Sequence, residues 1–209
     1  MLELLVVRHG QSIADIEDRF EGRADFELTN LGIEQAKRTA VWINIHFKPT
    51  KIISSPLKRA HRTAEIIGNE CAVEVLTNDE IMEWNNGLLA GLKREEGMKK
   101  YPLPEGGRKS HDTFAETESY IHFRARAETL LSKLIHEHST ESNRRICLVT
   151  HGGFINMLFK SFLGLPFNTD VSVASGDTGI HLWQVNGQER KIKFMNFQEH
   201  IRDLLLVTH

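Results

Sequence analysis

Residues 2–12 read LELLVVRHGQS. The run from Leu2 to Val7 is apolar apart from a single acid, which is typical of a strand buried in a parallel sheet. Arg8 and His9 follow directly, where this strand should end. A guanidinium group beside an imidazole suits the binding of an anion next to a nucleophile. On its own this stretch is weak evidence, because a histidine at a strand end is more often a hydrogen-bonded structural residue.

The rest of the chain alternates predicted strands with predicted helices. Apolar residues three or four positions apart indicate helices that bury one face, and short apolar runs indicate buried strands. This alternation predicts a three-layer α/β/α fold with an open, mostly parallel sheet, and Asn186-Gly187 predicts an antiparallel hairpin at its edge. The predicted strands cover residues 2–7, 51–54, 146–150, 179–185 and 190–194. The predicted helices cover residues 31–47 with Thr29 or Asn30 as the cap, Pro56 to about Gly68 with Ser55 as the cap, 118–138, and 153–163.

Length and composition predict one α/β domain over residues 1–209, with one excursion from its core. A chain of 209 residues, 40% hydrophobic and 26% charged, is long enough to bury one substantial core. The polar stretch at about 93–117 contains Pro102, Pro104 and the pair Gly106-Gly107, and it shows no sustained period. We therefore predict that this stretch leaves the core as a lid-like excursion.

Charge and cysteine content indicate a cytoplasmic protein that binds neither nucleic acid nor a membrane. The formal net charge of -2 gives no reason to expect nucleic acid or a membrane surface as a partner, since both favour a basic excess. The first residues have no basic flank and form too short an apolar run for a signal peptide or a membrane span. Cys71 and Cys147 are predicted to be free, buried thiols, and a cytoplasmic location is expected. Monomer and homodimer both remain open.

Three predicted strands are followed by cationic or imidazole side chains. Arg8 and His9 follow the first strand, Arg59 lies just beyond the second, and His151 follows the third. The carboxyl ends of parallel strands meet at one edge of a sheet, where the helix N-termini also favour anions. Taken singly, Arg59 is typical of a solvated helix residue and His151 of a core histidine. Their joint placement at one edge instead predicts a site for a phosphoryl group.

A nucleophile in such a site needs a proton partner, and the candidate is Glu83. It lies in the segment 81–91, IMEWNNGLLAG, where apolar neighbours favour a carboxyl group that can donate a proton. Taken alone, an isolated glutamate usually faces solvent. The prediction therefore depends on this segment reaching the same edge of the sheet.

Signatures of competing phosphate chemistries are missing from the sequence. No glycine-rich loop ends in Gly-Lys-Ser or Gly-Lys-Thr, which argues against a P-loop nucleotidase. Neither cysteine is followed six positions later by arginine, so a cysteine-phosphatase motif is absent. The histidines contain no His-Glu-x-x-His motif, and His136 and His138 are expected on the solvated face of a helix rather than at a metal.

With these motifs in order, the chain resembles the histidine phosphatase superfamily, also called the phosphoglycerate mutase-like family, and within it the phosphatase branch. The matching segments run in order over about 150 residues. They are Arg8 to Ser12, Gly22 to Asp25 leading to Leu28 to Gly32, Ser55 to Ala64, Glu83 with Gly87 and Gly91, Glu118 and Ser119 ahead of Arg126, and Thr150 to Gly153.

The resemblance implies a phosphoglycerate mutase-like fold and a covalent mechanism, in which His9 attacks phosphorus and water hydrolyses the phosphohistidine. Arg8, Arg59 and His151 would hold the phosphoryl oxygens. Glu83 would protonate the leaving oxygen and then activate water. The resemblance implies no metal ion and no cofactor. The residues expected to bind substrate are Gln11, Ser12, Asp15, Arg23 and Gly152.

Asp15 departs from the pattern of the family, in which many members have asparagine at this position. A carboxylate cannot donate a hydrogen bond to phosphate and repels it. Two explanations are open. Either Asp15 turns away and pairs with Arg8 or Arg23, or the pocket favours a less charged or cation-bearing substrate.

The same residues serve hydrolysis and phosphoryl transfer, and the length of the excursion favours hydrolysis. Only 68 positions separate Glu83 from His151, whereas the cofactor-dependent mutases of the family resemble one another in carrying a longer insertion there. A shorter lid should admit water. We therefore predict a phosphomonoesterase acting on a small phosphorylated metabolite, with phosphoglycerate mutase as the alternative and a non-catalytic phosphate-binding protein as the least favoured. Sugar phosphates, phosphoglycerates, nucleotide monophosphates and α-ribazole phosphate all remain open as substrates.

Overall fold

A computed structural model describes residues 1–137 and 144–205 of the chain. Every strand and helix predicted from the hydrophobic pattern is present, and the structure adds one strand and three short helices that the pattern does not predict: Val75–Thr77, Ile13–Ile16, Arg94–Lys100 and Arg202–Leu205. The strands are β1 (Leu2–Arg8), β2 (Lys51–Ser54), β3 (Val75–Thr77), β4 (Arg144–Thr150), β5 (Ile180–Asn186) and β6 (Glu189–Phe197). The helices are α1 (Ile13–Ile16), α2 (Asn30–His46), α3 (Lys58–Cys71), α4 (Arg94–Lys100), α5 (Tyr120–Glu137), α6 (Gly152–Phe162) and α7 (Arg202–Leu205).

The strands form one six-stranded sheet in the order β3-β2-β4-β1-β5-β6. Strands β1 to β4 are parallel, and β5 and β6 form an antiparallel hairpin at the edge. The fold prediction is therefore confirmed, including the hairpin. Because β1, β2 and β4 are parallel neighbours, the residues that follow them lie at the same edge of the sheet.

Alternate residues of β1 build the two cores that make this a three-layer fold. Leu4 and Val6 belong to the apolar cluster that includes Phe123 of α5 and Phe154 of α6. Leu5 points to the other face, into the cluster that includes Ile43 of α2. Since both faces of β1 are covered, the strand reads as a continuous apolar run rather than an alternating one.

Helix α3 begins later than the sequence indicates. The predicted cap and first helical position were Ser55 and Pro56, whereas the helix begins at Lys58. The backbone N–H of Lys58 donates at 2.7 Å to the side chain of Asp25, which therefore caps the helix from a distant segment. Thr29, by contrast, caps α2 as expected, because its hydroxyl accepts from the N–H of Gly32 at 2.9 Å.

Other predicted boundaries also move, by up to three residues, as at the end of β6, which is Phe197 instead of residue 194. Helix α5 begins at Tyr120 instead of residue 118, and its predicted last residue, His138, lies outside the described residues. Strand β4 begins at Arg144, two residues before its predicted start, because the pairing with β1 continues to Leu2.

The excursion at about 93–117 is more regular than predicted. It contains α4 and a short 3-10 turn at Phe114–Glu116. Gly87, with a φ of +50°, allows the Glu83 segment to approach this turn, since a Cβ there would lie 2.3 Å from the carbonyl oxygen of Ala115. The excursion therefore packs against the segment that carries the predicted proton donor.

Membrane insertion finds no support in the helices. Within the two described ranges, no helix combines the length and the apolar character that a crossing of the bilayer demands.

Candidate active site

The ends of β1, β2 and β4 bring four side chains together, here called the strand-end cluster: Arg8, His9, Arg59 and His151. The ring centroids of His9 and His151 lie 5.0 Å apart. The Nε of Arg59 donates to the Nε2 of His9 at 3.3 Å. His9 is 1% exposed, and Arg59 and His151 are 0% exposed. Polar side chains this deeply buried need partners, and Arg59 and His9 each supply one to the other.

The imidazole of His9 is oriented by the backbone. Its Nδ1 lies 2.7 Å from the carbonyl oxygen of Gly10, and because a carbonyl can only accept, Nδ1 carries the proton. Burial lowers the pKa of His9 well below its ordinary value, and the positive charges of Arg59 and Arg8 lower it further. The ring is therefore neutral, with the lone pair on Nε2.

Glycine after His9 is required by packing. A Cβ on Gly10 would lie 2.5 Å from the carbonyl oxygen of Gly32 in the first turn of α2. Without it, α2 starts directly against the turn that follows β1. The carbonyl oxygen that orients His9 is thereby held in place.

Arg59 is held by the segment that follows α1. Its Nη1 donates to the carbonyl oxygen of Ala24 at 2.9 Å, and its Nη2 donates to that of Gly22 at 2.8 Å. Burial lowers the pKa of Arg59, although nearby carboxylates oppose this effect, Glu21 first among them. An arginine remains charged under these conditions, so a fixed positive charge lies beside His9.

Arg8 is paired with two carboxylates at the edge of the cluster. Its Nη2 lies 3.4 Å from an oxygen of Asp15 and 3.3 Å from an oxygen of Asp177, and its Nη1 donates to the carbonyl oxygen of Ser175 at 2.8 Å. The Nε of Arg8 is buried without a hydrogen-bond partner among the described residues. Asp15 therefore pairs with Arg8, as the first explanation expects, but it also lines the cavity beside the cluster and so has not turned away from it.

His151 presents one nitrogen without a partner. Its Nε2 lies 2.8 Å from the hydroxyl of Ser55, and its Nδ1 is buried with no hydrogen bond to a described residue. Burial lowers the pKa of His151 well below its ordinary value, and the positive charge of Arg59 lowers it further. The neutral ring carries one N–H. When the Ser55 hydroxyl donates to Nε2, that N–H lies on Nδ1 and can donate to an anion.

Glu83 is fixed by backbone donors from two elements. Its Oε2 accepts from the N–H of Gly153 at 2.9 Å, and its Oε1 accepts from the N–H of Trp84 at 2.7 Å. Gly153 lies in the first turn of α6, two residues after His151. Glu83 is therefore tied to the same strand end as the strand-end cluster.

Arg126 of α5 holds the segment on which Glu83 lies. It donates to the carbonyl oxygens of Met82 at 3.0 Å and Glu83 at 3.3 Å. It also forms a two-pronged ion pair with Glu118, at 2.8 and 2.9 Å. A planar guanidinium group can make all these bonds at once, whereas a lysine could not.

A cavity of about 520 Å³ opens beside the strand-end cluster. Arg8, Asp15 and Glu83 line it, whereas the buried side chains of His9, Arg59 and His151 do not. Its complete lining consists of Arg8, Ala14, Asp15, Asp18, Arg19, Phe20, Glu21, Gly22, Glu83, Trp84, Asn86, Arg94, Tyr120, Phe123, Gly153, Asn156 and Met157.

Four of the residues predicted to bind substrate do not line this cavity. The side chain of Gln11 accepts from the hydroxyl of Thr29 at 2.9 Å, and Ser12 caps α1. The Nε of Arg23 is buried without a partner among the described residues. A Cβ on Gly152 would lie 3.9 Å from the side chain of Arg8, so this glycine faces the edge of the strand-end cluster.

Glu21 also belongs to the site, although it is not among the residues that the sequence predicts there. Its carboxylate accepts a hydrogen bond from the hydroxyl of Ser12. One oxygen lies 3.4 Å from the Nε of Arg59, and the other lies 3.8 Å from the Nε2 of His9. Burial raises the pKa of Glu21, although the charges of Arg59 and Arg8 oppose this effect.

Neither metal ligation nor thiol chemistry finds a site in the described ranges. No group of three or more histidine, cysteine, aspartate or glutamate side chains among these residues is arranged to hold a metal ion. Cys71 and Cys147 are free and buried, as predicted. Burial raises the pKa of Cys71 to about 11 and raises that of Cys147 as well. Neither thiol is activated as a nucleophile.

Comparison with known proteins finds similarity over most of the chain. A profile of the Histidine phosphatase superfamily (branch 1) matches residues 4–198. The chain is 35% identical over 163 residues to phosphoglycerate mutase-like protein 4 of Arabidopsis thaliana. This alignment covers 76% of the chain and 70% of the relative. It is 30% identical over 181 residues to a metal-independent phosphoserine phosphatase of the same plant, spanning 82% of this chain and 75% of the relative.

Among solved structures, the chain is similar to a mycobacterial glucosyl-3-phosphoglycerate phosphatase determined in complex with VO3. The TM-score is 0.81 at 25% identity, and the match covers 93% of this chain and 98% of that one. Residues 4–198, which match the superfamily profile, include all four residues of the strand-end cluster and Glu83.

Proposed function

The chain belongs to the histidine phosphatase superfamily, and on this premise we propose that it hydrolyses phosphomonoesters of small metabolites through a phosphohistidine formed on His9. The observation that carries the proposal is the state of His9. Its Nδ1 proton is committed to Gly10, and its Nε2 lone pair lies beside Arg59 and His151. A neutral imidazole in a cationic surrounding is a good nucleophile toward a phosphate anion.

The first step forms a bond between the Nε2 of His9 and phosphorus and breaks the bond between phosphorus and the ester oxygen. The departing oxygen takes a proton from Glu83 and leaves as an alcohol. In the second step Glu83 removes a proton from water, and the resulting hydroxide attacks phosphorus. The bond to Nε2 breaks, inorganic phosphate is released, and His9 returns to its neutral form.

Charge on the phosphoryl oxygens is stabilised by the other members of the strand-end cluster. Arg59 supplies a fixed positive charge, and Arg8 and His151 supply the buried nitrogens that lack partners among the described residues. Donors fixed before the reaction cost little reorganisation when charge shifts in the transition state. The cluster performs the task that a metal ion performs in other phosphatases, so we propose no metal and no cofactor.

The alternative is a phosphoglycerate mutase, in which the phosphoryl group passes from His9 to a second substrate instead of to water. The similarity to a phosphoglycerate mutase-like protein of Arabidopsis thaliana supports keeping this reaction in view. The similarity to a metal-independent phosphoserine phosphatase supports hydrolysis. The short excursion and the cavity beside the strand-end cluster also favour hydrolysis, since water can reach a phosphohistidine through that cavity.

The test is a labelled phosphoenzyme. The purified protein is incubated with a ³²P-labelled phosphomonoester, and the label is followed on the protein and in solution with a chelator present. We expect an acid-labile, base-stable phosphohistidine and release of inorganic phosphate. The His9→Ala variant should form no phosphoenzyme and lose turnover by a factor of about 10⁴ or more. The His122→Ala variant, which changes an exposed histidine of α5, is the matched control.

Two outcomes would count against the proposal. Efficient transfer of the label to 3-phosphoglycerate in preference to water would assign the mutase reaction instead. Full turnover of the His9→Ala variant would refute the covalent mechanism. A panel of sugar phosphates, phosphoamino acids, phosphoglycerates and nucleotide monophosphates then identifies the preferred substrate.

A further inference from the structure

The carboxylate of Glu21 lies where the proposed mechanism requires a phosphoryl group. It makes three polar approaches: the hydroxyl of Ser12 donates to it, Arg59 lies at 3.4 Å, and the Nε2 of His9 lies at 3.8 Å. A phosphoryl group about to react must contact the same Nε2 and the same guanidinium group. Two anions cannot share these partners, because like charges at this distance repel strongly.

Glu21 also lies between the cavity and the nucleophile. It lines the cavity, and its side chain is 17% exposed. His9 does not line the cavity and is 1% exposed. A substrate that enters from the cavity therefore meets the Glu21 carboxylate before it can reach the Nε2 of His9.

We propose that Glu21 is an internal anion that occupies the phosphoryl subsite in the ligand-free protein and must be displaced by the substrate. This inference rests on the proposed function, since it needs His9 and Arg59 to form that subsite. Glu21 keeps the buried cation Arg59 and the nucleophile His9 in contact with a protein carboxylate until substrate arrives. The substrate phosphoryl group must bind well enough to break the contacts of Glu21 with Arg59 and Ser12.

Acidity should favour displacement. The groups that face Glu21 are Arg8 and His9 at the end of β1, Ser12 and Asp15 at α1, and Arg59 of α3. Burial raises the pKa of Glu21, and Asp15 adds to this effect, so protonation begins at a higher pH than for an exposed glutamate. A protonated Glu21 holds Arg59 less strongly and no longer repels a phosphate anion. The inhibition by Glu21 should therefore weaken as the pH falls.

The experiment measures the affinity for inorganic phosphate, which needs no knowledge of the substrate. Calorimetric titrations compare the wild-type protein with Glu21→Gln and Glu21→Ala variants near neutral pH and about two pH units lower. Both variants remove the charge, and the alanine also removes any hydrogen bond that a glutamine could offer to phosphate. The Glu27→Gln variant is the matched control, because Glu27 is exposed, lies in the same segment and does not line the cavity. Thermal melts confirm that each variant folds.

We expect both Glu21 variants to bind phosphate more tightly than the wild type by about tenfold or more near neutral pH. The difference in affinity between variants and wild type should shrink at the lower pH. The ionisation of phosphate itself also changes with pH, but it affects all the proteins equally when they are compared at the same pH. The control should bind as the wild type does.

Three results would overturn the inference. Equal affinity of wild type and both variants would mean that Glu21 does not compete, and the proposed hydrolysis would stand unaffected. Tighter binding by the glutamine variant alone would reflect a new hydrogen bond rather than the loss of an internal anion. If none of the proteins bound phosphate and none formed a phosphoenzyme, the anion site itself would be refuted, together with the proposed function.

Discussion

Replacing Gly153 by alanine tests whether the position of Glu83 controls the reaction. A Cβ at residue 153 would lie 2.4 Å from the Oε1 of Glu83, whereas ordinary contacts begin at 3.4 Å. The carboxyl group must therefore move by about 1 Å. The clashing atoms are the far end of a flexible side chain, and alanine favours a helix more than glycine does, so the variant should fold.

The expected loss follows from the part that the carboxyl group plays. A displacement of about 1 Å costs roughly 100-fold in rate, and a positioned general acid contributes about 10²- to 10⁴-fold. We expect kcat/KM to fall about 100-fold, equivalent to about 2.7 kcal/mol, for an alkyl phosphate whose leaving oxygen needs a proton. For 4-nitrophenyl phosphate, whose leaving group departs without a proton, the loss should be below about tenfold.

A double-variant cycle supplies the control. In a Glu83→Ala background the side chain that would clash is absent, so adding Gly153→Ala should lower kcat/KM no further than about threefold. Steady-state kinetics with both substrates give all the values required. The reasoning fails if Gly153→Ala alone leaves alkyl phosphate hydrolysis intact, or if the loss is as large in the Glu83→Ala background.

Three further predictions concern stability and pH. Arg126→Met should lower the free energy of unfolding by about 3 kcal/mol in urea titrations and reduce kcat, because Glu118 loses its partner and the Glu83 segment loses its donor. Phosphoenzyme formation measured by rapid quench should show no loss as the pH falls through 6.5, since the lowered pKa keeps His9 neutral there. Burial lowers the pKa of His181 to about 4, so the unfolded state binds a proton first as the pH falls below 6.5. The free energy of unfolding, measured by urea titration at each pH, should then fall by up to about 3 kcal/mol between pH 6.5 and pH 4. In the His181→Gln variant this contribution to the pH dependence should vanish.

The parts of the fold that follow from local pattern could be predicted from the sequence. The apolar run of β1 and the three-to-four spacing in α2 are properties of neighbouring residues, and both elements are found where expected. The start of α3 could not be predicted in the same way. Its first N–H is satisfied by Asp25, which lies 33 positions away in the chain, so no inspection of residues near Ser55 and Pro56 reveals the true start.

The same distinction separates the site residues. His9 and His151 follow strands directly, and the rule that strand ends meet at one edge identified them. Glu21 lies in an irregular segment after α1, and Asp177 lies in the loop before β5, so neither follows a parallel strand. Only tertiary contacts bring them to His9 and Arg8. The one sign in the sequence was that the next segment, Gly22 to Asp25, matches the family pattern, and in the structure Gly22 and Ala24 bind Arg59.

The pairing of β1 has a consequence for the way the protein is made. This strand is synthesised well before its partners, which are β4, beginning at Arg144, and β5, beginning at Ile180. At ordinary translation speeds the nascent apolar strand waits on the order of ten seconds for its neighbours. During that interval it is a natural client for chaperones, and a ribosome-bound fragment that stops short of β4 cannot assemble the pocket.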